Sequence, residues 1–333
     1  MPTLNTTTKI LVKRWLVKPH VISKYRMQVG IFGLLLLIFA IFAIASPRVF
    51  LSWAIYEAFL NTVPFVGIMG LGLTLVLVSK EIDLSFPSVM AFSGFTFATL
   101  FSMTRSGTLA LLGALTSGAA VGLLNGVMVR KVGIPSIVVT LGMQFLLRGS
   151  VQVLSGGLGL TLPLDAHPLR TVLVGRTVAG IPAHALWFAG LSILLTLVLF
   201  RHKFGNHVLF VGDNEDAAKM MGINADRVKI LVFVLMGLFA AFAGVIENAR
   251  MLRWWPLMGE GYLLPTMAAV FIGGTSMFGG EGTIFGTFIG SFIIGSLEAG
   301  IVAAGLSGFW TRFFEGLLIL MAITFYTLVR RRR

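Results

Sequence analysis

Residues 201–229, RHKFGNHVLFVGDNEDAAKMMGINADRVK, form a polar island in a chain that is otherwise almost continuously apolar. Apolar runs near 184–200 and 228–250 flank it. About 20 residues at 1.5 Å each cross the hydrocarbon of a bilayer, and both runs are of that order. The island therefore reads as an extramembrane loop between two spans. Its centre, Asp213 to Ile223, has the build of one short, doubly capped helix. Asp213 or Asn214 can accept a hydrogen bond from the first free backbone N–H groups, and Glu215 and Asp216 place acids where the helix dipole favours them. Gly222 suits the left-handed residue that ends a helix, with apolar Ile223 after it to pack back. A self-contained helix on the basic side of a membrane protein suits docking by another protein.

The rest of the chain has the same character. Of 333 residues, 56% are hydrophobic and 12% charged, against about 25% charged in soluble domains. Mean hydropathy is +0.93. Apolar runs near 28–46, 58–79, 86–104, 108–129, 134–155, 184–200, 228–250, 262–279, 283–304 and 310–329 predict about ten spans. The runs are continuous rather than alternating, which points to an all-α transmembrane bundle and away from a β-barrel. The reading divides the chain into a basic N-terminal segment (1–27), a transmembrane domain (28–329) containing the loop 201–229, and a basic tail (330–333).

With both termini cytoplasmic, the inner segments hold 18 Lys and Arg and the outer ones seven. That asymmetry follows the positive-inside rule. The net charge of +13 then reflects topology and contact with anionic membrane lipid rather than nucleic acid. Ala43-Ile44-Ala45 mimics a signal-peptidase site, but the long basic start and the spans that follow favour an uncleaved first span.

Several chemistries are missing. There is no cysteine, hence no disulfide or thiolate site. No Lys follows a Gly, so a phosphate-binding G-x-x-x-x-G-K loop is absent, as is an H-E-x-x-H metal pair. Any ATP-driven step needs an ATPase on another chain, and catalysis by this one is not expected. Polar residues inside spans are costly and normally face a cavity or a neighbouring helix. Asn61, Asn125, Gln144, Arg148, Glu247, Asn248, Glu298 and Glu315 are the candidates. Glu247 and Arg250, three apart, are expected to pair on one helical face. Two segments, 70–100 and 268–297, are faintly alike. Each has an apolar run, a polar break (Ser79 to Ser85, and Gly273 to Gly282) and a second small-residue run. Paired interruptions of this kind often mark repeats along a transport path.

Four stretches together resemble the inner-membrane permease subunits of bacterial ABC importers for ribose-type monosaccharides, over about residues 60–329. They are Glu81-Ile82-Asp83-Leu84-Ser85; Gly122 to Gly126 leading through Gly133-Ile134-Pro135 to Thr140-Leu141-Gly142 and Arg148-Gly149; Gly212 to Ala218 with Gly222-Ile223; and Gly273-Gly274-Thr275-Ser276 with Gly279-Gly280 and Gly282-Thr283. The resemblance implies a subunit that moves a monosaccharide or polyol across the inner membrane. It would dock through Asp213, Asn214, Glu215, Ala217, Ala218 and Gly222 on an ABC-type ATPase. The small Ala217 and Ala218 would allow the partner to approach closely. Implied partners are that ATPase, a periplasmic substrate-binding protein and a second permease copy or homologue. ATP and Mg²⁺ would be bound by the ATPase and no cofactor by this chain. The first stretch departs from the family pattern, with Lys80-Glu81 where two glycines are usual and Phe86-Pro87 in place of Val-Gly. Bulk and charge there are expected to alter the turn and to weaken the case for Asp83 in the path. Rival readings are the related branched-chain amino-acid permease, and a secondary transporter using Glu247 or Glu298 as an ion or proton site.

Overall fold

The computed structural model describes residues 19–177 and 180–331. The basic segment through residue 18 and the last two arginines of the tail lie outside the described residues. The long helices are α1 (Pro19–Ala45), α3 (Trp53–Val78), α4 (Phe86–Thr104), α5 (Gly107–Val127), α6 (Ser136–Ser155), α8 (Ala183–Arg201), α11 (Ala225–Met251), α13 (Ile284–Ala303) and α14 (Phe309–Arg331). Shorter ones are α2 (Pro47–Phe50), α7 (Pro168–Val174), α9 (Lys203–Asp213), α10 (Glu215–Met220) and α12 (Leu263–Ile272). A two-residue pair, β1 (Leu160–Thr161) with β2 (Arg253–Trp254), is the sheet among the described residues.

Among the described residues, eight helices are long and apolar enough to cross a membrane, so the chain is a polytopic helical membrane protein. The run predicted as a span at 262–279 is built differently. Its helix, α12, has 10 residues, about 15 Å, half of a bilayer's roughly 30 Å hydrocarbon. The helix stops because Gly273 and Gly274 follow Ile272, and Gly274 takes φ +80°, a left-handed conformation that glycine adopts freely.

Helix α11 lies at the centre, packed on α3, α4 and α5. Its contact with α5 is nearly backbone to backbone. A Cβ on Gly118 or Gly122 would strike the carbonyls of Gly237 and Phe233, and one on Gly237 would strike Gly118. In lipid, such close approach replaces the hydrophobic drive as the source of helix association.

Both predicted polar breaks are non-helical, and they meet. The Gly280 amide donates to the Val78 carbonyl at 2.9 Å, joining the turn before α13 to the end of α3. The turn at the end of α3 survives the non-glycine pair because Lys80 itself takes φ +65°. That conformation costs a side-chain-bearing residue about 1 kcal/mol or more. Lys80→Gly is therefore expected to raise stability by about 1 kcal/mol, measured by denaturant-titrated unfolding in detergent. No gain would mean that contacts of the Lys80 side chain offset the strain.

At the other end of the bundle, the long connection 155–183 folds onto α11 and α3. Leu160 pairs with Trp254, Arg170 Nε donates to the Ala249 carbonyl at 3.3 Å, and Arg176 pairs with Glu57.

Candidate functional site

The polar island folds as two helices rather than one. The first, α9, buries Gly205, Val208, Val211 and Gly212. It turns sharply out of α8 at His202, whose Nδ1 accepts from the Phe204 amide at 3.2 Å. The expected capped helix is α10. Asn214 caps it, its Oδ1 accepting from the Ala217 amide at 3.0 Å, while Asp213 closes α9. At the far end Gly222 takes φ +81°. Its amide donates to the Lys219 carbonyl at 2.9 Å, and Ile223 donates to Ala218 at 3.0 Å, the two-bond closure typical of a glycine-ended helix.

Which face of α10 is free differs from the expectation. Ala218 is fully buried in the chain's own core, so its small size serves internal packing, not the approach of a partner. Asp213, Asn214, Asp216 and Gly222 are exposed and Glu215 and Ala217 half-buried. The large exposed groups are Met220 and Met221, at 84% and 59%.

The buried side of α10 is held by charges. Lys229, one turn into α11 and 5% exposed at its side chain, donates to Glu81 at 2.8 Å and lies 2.9 Å from Glu215. Arg130, in the π-helical turn Met128–Val132 that continues α5, bonds Glu215 at 2.6 Å and Asp226 at 2.7 Å. Lys131 reaches Asp226 at 3.2 Å, and Lys219 reaches Glu215 at 2.8 Å. Burial alone would raise the Glu215 carboxyl. Hydrogen bonds from Lys219, Lys229 and Arg130 and the charge of Lys229 outweigh it and hold the group down at about 2, so it is ionised throughout the physiological range. The network ties α10 to α5, to α11 and to the segment Lys80–Ser85.

Backbone contacts reinforce it. Gly212, in the last turn of α9, lies directly on the Val78 carbonyl, and the Asp213 backbone packs against Gly280. The end of α3, the end of α9 and the turn before α13 thus meet at one point, at the same end of the bundle as the ion pairs.

The sequence model for the branched-chain amino acid transport system permease component family matches residues 55–323. The chain belongs to this permease family. Curated relatives extend over the same length. The permease is 34% identical over 321 residues to the ribose import permease protein of Escherichia coli strain K12, covering 96% of this chain and 98% of that one. It is 33% identical over 305 residues to the L-arabinose ABC transporter permease protein of Azospirillum brasilense, covering 91% and 88%. With the D-allose transport system permease protein of E. coli K12 it shares 29% over 333 residues, covering 98% and 99%. No solved structure matches the chain. The permease is a multi-pass inner-membrane transport subunit and not an enzyme.

The remaining polar candidates are scattered through the permease. Asp83 is buried and accepts from the Ser85 amide at 2.7 Å and hydroxyl at 2.6 Å. Asn125 of α5 donates to the same hydroxyl at 2.9 Å. Asp83, Ser85 and Asn125 thus brace the break against α5. Asn248 is buried and donates to the Gly94 carbonyl at 2.7 Å. Asn61 donates to the Glu57 carbonyl at 2.8 Å within its own helix, and Gln144 is half-buried on α6. Arg148 donates to the carbonyls of Pro256 and Met258 at 2.7 and 3.0 Å. Glu247 is buried and pairs with Arg250 at 3.0 Å, as their spacing predicts. Glu298 is exposed and Glu315 buried; they lie near each other, and Glu298 and Glu247 both act on Tyr262.

Sequence reasoning did not single out Lys229, Arg130 and Asp226, which build the ion-pair network, or the exposed Met220. Lys229 carried a signal: it lies just inside an apolar run, where a charge needs a partner. Nothing in the sequence named that partner, since Glu81 is 148 residues away.

Proposed function

We propose that the permease is the membrane subunit of an ATP-driven importer that moves a monosaccharide or polyol delivered by a periplasmic binding protein. One observation carries the reading: similarity over nearly the whole chain to permeases named for ribose, arabinose and allose. The end bearing the ion-pair network is cytoplasmic, as are both termini. About ten membrane passes result, with α12 and its flanking turns making one of them. Two permease copies, or this chain and a homologue, stand on two ATPase subunits that bind ATP and Mg²⁺. Specificity rests largely with the binding protein. The branched-chain amino-acid reading follows from the family's description alone, whereas full-length relatives are named for ribose, arabinose and allose; the importer reading also displaces the ion-coupled carrier.

The loop 201–229 docks on the ATPase through α10. Asn214 and Gly222 fix its ends, Asp213 and Asp216 provide charge, Glu215 ties it to the bundle, and Ala217 and Ala218 keep it close-packed. Met220 and Met221 are the apolar groups offered outward, adaptable side chains suited to a partner's groove. Gentle purification from native membranes followed by mass spectrometry tests the assembly, and uptake of labelled ribose against leucine tests the substrate class. Met220→Asp is expected to weaken retention of the ATPase by about 30-fold, as for loss of a buried interface anchor worth about 2 kcal/mol. Normal insertion should persist because the side chain makes no internal packing. An ATPase retained at the parent level by this variant sinks the docking role of Met220. A permease that purifies alone in several mild detergents sinks the importer reading.

A further inference from the structure

We infer that Lys229 and Glu81 form a force-transmitting link: the ion pair hands displacement of the docking helix α10 to the break Lys80–Ser85. This rests on the docking reading above. The geometry that points to it is a chain of contacts with one shared element. Lys229 Nζ sits between two carboxylates that belong to different moving parts, Glu81 of the break at 2.8 Å and Glu215 of α10 at 2.9 Å. Its own backbone belongs to α11, the central helix.

Each part has little freedom to slip. On the α10 side, Glu215 is also gripped by Arg130 and Lys219, and Ala218 is locked in the core. On the break side, Lys80 is held left-handed at φ +65°, and the Ile82 amide donates to the Ser136 hydroxyl of α6 at 3.2 Å. Beyond it, Asp83 fixes Ser85, which in turn receives Asn125. Residues Ile82 to Ser85 lead directly into α4, so a pull on Glu81 is delivered to the start of that helix. Glu81, 11% exposed at its side chain, is the more buried of the two carboxylates around a single ammonium, and a buried charge cannot be left without its partner. When α10 moves, Lys229 and Glu81 therefore move as a unit or the pair must be broken. Hydrogen-bonded charges with restricted solvent access hold position far better than exposed ones.

Glu81 and Lys229 are thus positioning residues, distinct from the groups that touch the ATPase. The test uses the intact importer complex in proteoliposomes. The chain has no cysteine, so Leu84→Cys supplies a single thiol in the break, at a half-buried position. In that parent, a non-hydrolysable ATP analogue is expected to change the rate of thiol modification by about fivefold or more, the lower range of typical coupling between sites. Adding Glu81→Gln, which leaves the Lys229–Glu215 bond in place, should abolish that change. It should also lower substrate moved per ATP hydrolysed by about tenfold, while the ATPase stays bound. The double variant Glu81→Gln, Lys229→Gln removes both charges together and guards against misfolding caused by one unpaired ion; it should uncouple to the same extent. An ATP-dependent change in thiol modification that survives Glu81→Gln overturns the inference. So does a parallel fall of transport and hydrolysis at unchanged stoichiometry. An absent ATPase in the parent complex would instead fail the docking reading itself.

Discussion

Lys229→Met is expected to destabilise the permease by about 3–5 kcal/mol, the cost of breaking a buried ion pair by removing one partner. The variant keeps most of the side-chain volume, so a packing defect contributes little. What it removes is the one ammonium within 3 Å of both Glu81 and Glu215. Glu215 retains Arg130 and Lys219, but the buried Glu81 has no second cation among its described ion pairs. Lys229→Arg, which keeps the charge in a different shape, should recover part of the loss. Unfolding titrated with SDS in mixed micelles measures the difference, and hydrogen exchange across α10 localises it. If Lys229→Met unfolds with the parent, the network is decorative and the core alone fixes α10.

Gly212→Val is expected to cost about 3 kcal/mol, the upper range for forcing atoms into a packed interior. Any Cβ at this position falls on the Val78 carbonyl and within 2.8 Å of the Gly280 amide. Those two groups are hydrogen-bonded to each other at 2.9 Å, so the substitution both overpacks the junction and wedges apart its bond. Neither neighbour can yield like a flexible side chain, because both are backbone. The end of α9 must then lift away, carrying Asp213 and α10 with it. Expected consequences are faster amide exchange from α9 through α10 and loss of uptake, with the α5–α11 contact unaffected. Exchange at the parent rate in α9 and α10 would show that the junction tolerates separation.

Much of this architecture was legible in the sequence because its signals are local. Apolar runs of membrane-spanning length fixed the helices, and Asn214 with Gly222 fixed both ends of α10, since capping involves residues only a few positions apart. The Glu247–Arg250 pair was legible for the same reason. Helix α9 was not, because nothing in the residues separates an amphipathic helix lying against the bundle from an ordinary polar loop. The short helix within the run 262–279 was not legible either: the run's hydropathy is that of a span, but two adjacent glycines end the helix after 10 residues.

Taken by itself, then, the amino-acid sequence determined that this is a helical membrane protein with one capped helix displayed on its basic side. Those features follow from chain length against bilayer thickness, from hydropathy and from capping within a single turn. Only the tertiary structure decided which face of α10 is free, that Lys80 could stand where glycine is usual, and that Glu81 has Lys229 for a partner. Each of those depends on a contact across long stretches of chain, 148 residues in the case of Lys229 and Glu81. Buried charges and backbone-close junctions are satisfied by whatever the fold brings near, and a sequence records the need without naming the partner.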